Sequence, residues 1–256
     1  MRLSPVVFVL VLAGAGPGRP AHAEGPRPGS EGGAAAVADR VMQALGGVDA
    51  WNATRYLRFD FAVDRGAKTL VRRSHTWDKW TGNYRLEATT REGEPYVVLL
   101  NIDTREGAAW LKGRKLQGEE AKKYVDPGYA VWVNDTYWLL MPYKMKDPGV
   151  VLAMDGVEKN DGEVWDKVRL TFDNVGLTPK DKYWVYVNRK TGLVDRWDYV
   201  LEGENKPPTT FTWKNWKKYG KVMLADDREN TADETRIYFP VLETPETIAE
   251  GVFTRP

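Results

Sequence analysis

The chain has 256 residues, with 37 Lys and Arg against 36 Asp and Glu and a formal charge of +1. Such a balance gives no field for general polyanion binding, and the lack of any cysteine excludes disulfides and thiolate metal sites. Beyond residue 23 one histidine (His75) and two serines (Ser30 and Ser74) remain, beside all 11 tryptophans and 12 tyrosines, so groups for nucleophilic chemistry are scarce and amphipathic contact surface is abundant.

The start of the chain reads as a secretory signal peptide. Met1-Arg2-Leu3 is positive, residues 6–15 are apolar, Pro17 and Pro20 break the run, and Ala21-His22-Ala23 supplies a small-x-small cleavage site after Ala23. The apolar run is too short to span a bilayer, and no later stretch is long and apolar enough. The expectation is an exported protein, periplasmic or extracellular, with no transmembrane segment in the mature chain. No cysteine follows the run to carry a lipid anchor. Residues 24–33 are Gly/Pro-rich and read as a disordered tether. Residues 34–256 read as one domain.

Residues 34–45 carry Val37, Val41 and Leu45 at helical spacing, closed by Gly46-Gly47. From Arg55 the period becomes two: Leu57, Phe59, Phe61 and Val63 share one face, Arg58 and Asp60 the other. Further strands are expected over 69–80, 84–90, 96–102 and 108–112, joined by short turns as an antiparallel meander. The middle reads as two helices, 116–124 and 131–145. Asp126-Pro127-Gly128 is expected to turn between them, Asn134 or Asp135 to cap the second, and Pro142 to end it. Strands resume over 150–154, 164–172, 183–188, 193–201, 209–219 and 234–240. The fold class is α+β: a single curved antiparallel β-sheet of about 10–11 strands, with an N-terminal helix and mid-chain helices grouped against it.

Several chemistries are excluded by what is missing. Ser74 and His75 are consecutive in a strand and point to opposite faces, so they form no dyad. A site with two histidines is impossible beyond residue 23, and no phosphate-cradling glycine loop occurs. No catalytic residue, metal ligand or cofactor is assigned. His75 reads as a structural strand residue, with Asp78 on the opposite face a poor partner. Carboxylates remain open: Asp166, Asp195 and Asp198 beside Trp165 and Trp197 keep a carbohydrate-binding or carboxylate-based alternative alive, although charges on alternating strands usually form a solvated face. Asp126, Asn134, Asp135 and Asp147 lack EF-hand spacing for calcium. Residues 213–221 interleave aromatics with lysines, which suits a strand with Phe211, Trp213 and Tyr219 on one face, or a rim for a membrane headgroup. Nucleic acid is not expected as a partner of an exported chain.

Three strings carry a resemblance. They are Ala44-Leu45-Gly46-Gly47 leading to Trp51, Trp138-Leu139-Leu140-Met141-Pro142, and Tyr186 to Val194 followed by Arg196. Over roughly residues 34–238 the chain resembles the LolA/LolB-like superfamily of outer-membrane lipoprotein-sorting proteins, and specifically its exported members other than the sorting carrier itself. The resemblance implies an incomplete barrel whose concave face is covered by helices, with an apolar cavity between them that holds acyl chains. It also implies a helix-latching arginine, for which Arg58, Arg72 and Arg85 are candidates.

The expected ligand is therefore a lipid or other amphipathic small molecule. Trp132, Tyr137, Trp138, Leu140, Met141 and Tyr143 are the candidate lid residues, and Phe59, Phe61, Trp184 and Trp197 the candidate wall. Sequence pattern does not separate lining from packing, so the same side chains could fill an ordinary core. Transient contact with a membrane surface or an envelope protein, or a role as an envelope interaction scaffold, stays open.

Overall fold

The computed structural model describes residues 30–173, 175–202 and 207–256. The expected signal peptide and most of the expected tether lie outside the described residues. The first helix, α1 (Ser30–Ala44), starts within that tether, so residues 30–33 are helical. It buries Ala34, Val37, Ala38 and Val41, one apolar stripe at helical spacing. Gly46 (φ 112°) turns the chain into α2 (Gly47–Ala53). A Cβ at Gly46 would stand 2.8 Å from the Lys221 carbonyl oxygen, so both the backbone angle and the close approach require glycine there.

A meander follows: β1 (Tyr56–Arg65), β2 (Lys68–Asp78), β3 (Asn83–Thr89), β4 (Pro95–Asn101), β5 (Gly107–Leu111) and β6 (Arg114–Lys115). The long helix α3 (Gly118–Leu140) runs into a 3-10 turn, Met141–Lys144. Then come β7 (Val150–Asn160), β8 (Glu163–Phe172), β9 (Lys182–Asn188), β10 (Val194–Val200), β11 (Thr209–Thr212), β12 (Lys214–Tyr219), β13 (Val222–Glu229), β14 (Thr235–Tyr238) and β15 (Leu242–Glu243).

The α+β, antiparallel expectation holds, with more strands than expected and a seam. A ten-stranded sheet runs β12-β13-β14-β1-β2-β3-β4-β5-β6, with β15 also on β1, and a five-stranded sheet runs β11-β10-β9-β8-β7. The isolated bridge Phe211↔Asn230 joins them. Strands β6 and β7 end the two paths without pairing to each other, so the barrel stays open.

Three local expectations are corrected. The stretch 209–219 is not one strand: it breaks at Trp213, and Asn215 (φ 63°) redirects the chain from the smaller sheet to the larger; Asn tolerates that left-handed geometry. Strand β13 is an addition, since no strand is expected over 222–229 from the sequence. The two middle helices are one, and Asp126-Pro127-Gly128 lies inside it. Proline there removes one backbone donor, leaving the Lys123 carbonyl without its usual i+4 partner. Gly128 is buried, and a Cβ on it would meet Val98 at 3.3 Å, so a side chain there would press the helix off β4.

The interior is divided. The larger core gathers α1, the C-terminal end of α3, β1, β8–β10 and β13, with Leu57, Phe59, Leu139, Val168, Val185, Trp197 and Leu224 among its buried members. A smaller core lies under the N-terminal half of α3: Tyr84, Leu86, Val98, Leu100, Ala109, Leu116 and Val125.

Candidate functional site

Helix α3 is held to the sheet by a buried polar cluster between the two cores. Asp135 projects from α3 and is fully buried. Arg73 Nη2 on β2 donates to its Oδ1 at 2.9 Å, and Arg73 Nε lies 2.7 Å from Oδ2. His75, two residues along and therefore on the same face, places Nε2 3.1 Å from Oδ2. The Tyr84 hydroxyl lies 2.7 Å from His75 Nδ1. With Asp135 ionised, Nε2 carries the imidazole proton and Nδ1 accepts from Tyr84. The imidazole also stacks on Phe59 at 4.4 Å.

The arginine that pairs with helix α3 is Arg73, and none of the three candidates. Arg58 pairs with Glu243, Arg72 with the Tyr238 hydroxyl, and Arg85 with Glu87. Asp135 is no helix cap. The partner of His75 comes from the helix, while Asp78 binds Arg55 on the other face.

Burial pushes the His75 pKa below its ordinary value, against the pull of Asp135, and the Arg73 and His75 contacts hold the Asp135 carboxyl below the usual carboxylate range despite burial. Both signs run the same way. The unfolded chain binds a proton at His75 below pH 6.5 that the folded chain resists, so stability is full above that pH and falls as pH drops below it. Asp135 adds a second loss as pH falls below 3.8 toward its folded pKa. Urea unfolding at a series of pH values is expected to show a downward slope below pH 6.5 that His75→Gln removes; equal slopes in both proteins would refute the assignment.

A second cation secures the other end of the helix. Arg228 on β13 is fully buried. Its Nε donates to the Trp138 carbonyl at 3.0 Å, and Nη1 donates to the Ala225 and Asp227 carbonyls at 3.0 and 3.3 Å. The guanidinium lies 3.8 Å from the Trp213 ring centroid. Burial pulls its pKa down to about 9. A cation at the carbonyl end of α3 also meets the negative pole of the helix.

The structure brings most of the candidate residues together. Phe59, Phe61, Trp138, Leu140, Met141, Tyr143 and Trp197 are all buried in the larger core, and half-buried Tyr137 packs against it. Trp138 and Trp197 meet edge to face at 4.7 Å, and the single Tyr143 hydroxyl proton is shared between the Met223 carbonyl at 2.8 Å and the Leu45 carbonyl at 3.0 Å. These side chains fill the larger core. Trp132 belongs to the other compartment, against Trp77 at 5.2 Å beside the smaller core. Trp184 joins neither: it lies on the opposite face of the five-stranded sheet, under Lys167. Its neighbours Tyr183 and Val185 take the inward positions, the alternation placing Trp184 outward.

Open clefts lie elsewhere among the described residues. A cleft of about 290 Å3 enters between the N-terminal half of α3 and β3–β4, with Leu86, Tyr96, Tyr124, Pro127 and Val131 as its apolar walls and Lys123 at its edge. Pattern alone hides it, because Asp-Pro-Gly reads as a break and the cleft runs along the unbroken helix at Pro127 and Gly128. The carboxylates kept for the carbohydrate alternative are engaged. Asp166 is shared by Arg40 and Arg189, Asp195 accepts from Trp165 and Asn188, and Asp198 accepts from Tyr186 and Thr210. Among the described residues no helix is long and apolar enough to cross a membrane.

Neither a protein-family model nor a curated protein matches the sequence. Solved structures do. A LolA superfamily protein from Nitrosomonas europaea is similar at a TM-score of 0.53 and 10% identity, over 87% of this chain and 97% of that one. A DUF1329 family protein from Desulfovibrio piger gives 0.49 at 14% identity, over 86% and 96%. A putative outer membrane lipoprotein-sorting protein domain from Vibrio parahaemolyticus gives 0.48 at 10%, over 88% and 97%. The open antiparallel sheet, its covering helices and the first of these likenesses agree: the chain has a LolA-like fold.

Proposed function

We propose that the protein is an exported, non-catalytic carrier that holds a lipid or similar amphipathic molecule between α3 and the sheet. The observation that carries this reading is the cleft under the N-terminal half of α3. It has apolar walls, it opens onto a small core separate from the main one, and a lysine stands at its edge. An apolar tail would enter beside Tyr124 and Val131, and an anionic head would meet Lys123. Burial of apolar surface, at about 25 cal/mol per Å2 before ordering costs, supplies the drive. The cleft is small, so a full acyl chain requires the N-terminal half of α3 to lift, and the Pro127 break in its hydrogen-bond ladder makes that half the easier one to move.

Native mass spectrometry of protein purified from its own compartment is expected to show a bound amphiphile. Adding single-chain lipids to stripped protein should raise its melting temperature, corresponding to about 2.7 kcal/mol when lipid is at 100-fold its dissociation constant. Absence of copurifying lipid together with no thermal gain across fatty acids and phospholipids would overturn the proposal.

A further inference from the structure

Arg228 leaves part of its donor capacity unused in the dry interior. A guanidinium carries five N–H donors. Here Nε donates to the Trp138 carbonyl and Nη1 to the Ala225 and Asp227 carbonyls, so the N–H groups of Nη2 are left over. Nη2 is buried and has no acceptor among the described residues, and the same holds for the indole N–H groups of Trp197 and Trp213. The three residues are each 2% exposed or less, and they are neighbours. The guanidinium carbon lies 3.8 Å from the Trp213 ring centroid, and the Trp213 and Trp197 centroids are 5.5 Å apart.

The charge of Arg228 is also unmatched. Its sequence neighbours are committed elsewhere: Asp226 accepts from Lys217 and Tyr219, and Asp227 accepts from Arg236 through both oxygens. Asp135, on the helix that Arg228 holds, belongs to Arg73 and to His75. With His75 neutral, these carboxylates are matched one for one by Lys217, Arg236 and Arg73, and the cation left without a partner is Arg228. Burial lowers its pKa to about 9, against the pull of Asp227 and Asp226, so it stays cationic at neutral pH.

These features select a ligand chemistry. Every unfilled group is a donor. A water would bring two hydrogens of its own to place and would leave the charge unmatched, whereas an anion accepts from several donors at once and supplies the counter-charge. Trp138 stands 4.7 Å from Trp197, and the Phe239 centroid 5.2 Å from the guanidinium, so the surroundings are closely packed rings. Packing of that density suits a single heavy atom rather than a phosphate.

We infer that the larger core binds a monovalent anion of halide size, held by Arg228 Nη2 together with the indole N–H groups of Trp197 and Trp213. The ion completes the clamp on the C-terminal end of α3, because the same guanidinium holds the Trp138 carbonyl. Both indoles belong to the larger core, apart from the cleft at the N-terminal half of the helix, so the inference does not depend on carriage of a lipid.

Bromide is the probe. Thermal unfolding of the whole protein is followed as sodium bromide replaces sodium gluconate over the millimolar range at constant ionic strength, gluconate being too large for the core. The melting temperature is expected to rise and saturate. Trp197→Phe and Trp213→Phe each keep a ring and remove one N–H, and each should raise the bromide dissociation constant about ten-fold, as for one hydrogen bond to a charged group. Arg228→Met removes a buried clamp and is expected to destabilise the fold outright, so the phenylalanine variants carry the comparison. Crystals grown in bromide should show an anomalous peak within hydrogen-bonding reach of Nη2.

A melting temperature that does not respond to bromide overturns the inference, as does a bromide constant unchanged in both phenylalanine variants. A peak at Nη2 without anomalous signal would be a water, and an anomalous peak without any thermal gain an adventitious ion only; either result overturns it too.

Discussion

Asp135→Ala is expected to lower the unfolding free energy by about 3–5 kcal/mol, the usual cost of removing one partner from a buried ion pair. The substitution leaves Arg73 without its counter-charge and His75 without its acceptor, in a layer that water does not reach on the Asp135 side. Arg73 keeps 21% exposure, so it recovers some hydration and the lower end of that range is the sharper expectation. The double replacement Arg73→Met with Asp135→Leu should cost less than Asp135→Ala alone, because a buried pair exchanged for apolar groups of similar size is often neutral. Urea unfolding of the three variants checks both statements. A loss below about 1 kcal/mol for Asp135→Ala, the scale of an exposed pair, would show that the cluster does not hold the helix. If the cluster is the latch, lipid uptake should also be faster in the double variant, since the helix then lifts without parting charges.

The second large effect separates packing from lining. Trp197→Ala should cost about 3–5 kcal/mol, as truncations of large buried aromatics do. Trp197 is 1% exposed and sits within 6 Å of Tyr137, Trp138, Tyr183, Tyr199 and Trp213. Val131→Ala, at the wall of the cleft, should cost about 1 kcal/mol or less, as for the loss of two half-buried methyl groups. Ligand response should be reversed: Val131→Ala alters the thermal gain from lipid, whereas Trp197→Ala lowers the baseline and leaves the gain in place. A lipid gain abolished by Trp197→Ala but untouched by Val131→Ala would move the binding site into the larger core.

The strand content was legible wherever one face is buried. Leu57, Phe59 and Phe61 alternate with Arg58 and Asp60, and the structure buries the first set. The long helix was legible in its C-terminal half, where Trp132, Thr136 and Leu139, and beside them Val133, Tyr137 and Leu140, recur at helical spacing. Its continuity was not, because Asp-Pro-Gly is strong turn chemistry and tertiary packing of Gly128 on Val98 outweighs it. Strand β13 was hidden for an electrostatic reason. Asp227 turns to Arg236 while Arg228 turns inward to carbonyls, so a run that reads as a solvated charge cluster divides between two faces. Asp135 was given to a cap for the same reason: no local pattern tells a helix carboxylate that its partner stands on a strand 62 residues away. The candidate aromatics were found, but whether they enclose space or occupy it depends on side-chain volumes meeting across the fold, which periodicity does not encode.

The polar layer of Arg73, His75 and Asp135 makes the interior a two-chambered one. On the carrier reading proposed above, side chains displaced by a guest in the smaller chamber would push against these charged groups, which are fixed in place. Among the described residues, the larger, tryptophan-rich chamber meets the smaller one only across this layer and through Trp77, which packs against both. On the same carrier reading, substitutions at half-buried Tyr124 and Val131, on the cleft wall, would change what is carried at less cost to the fold than any in the larger core.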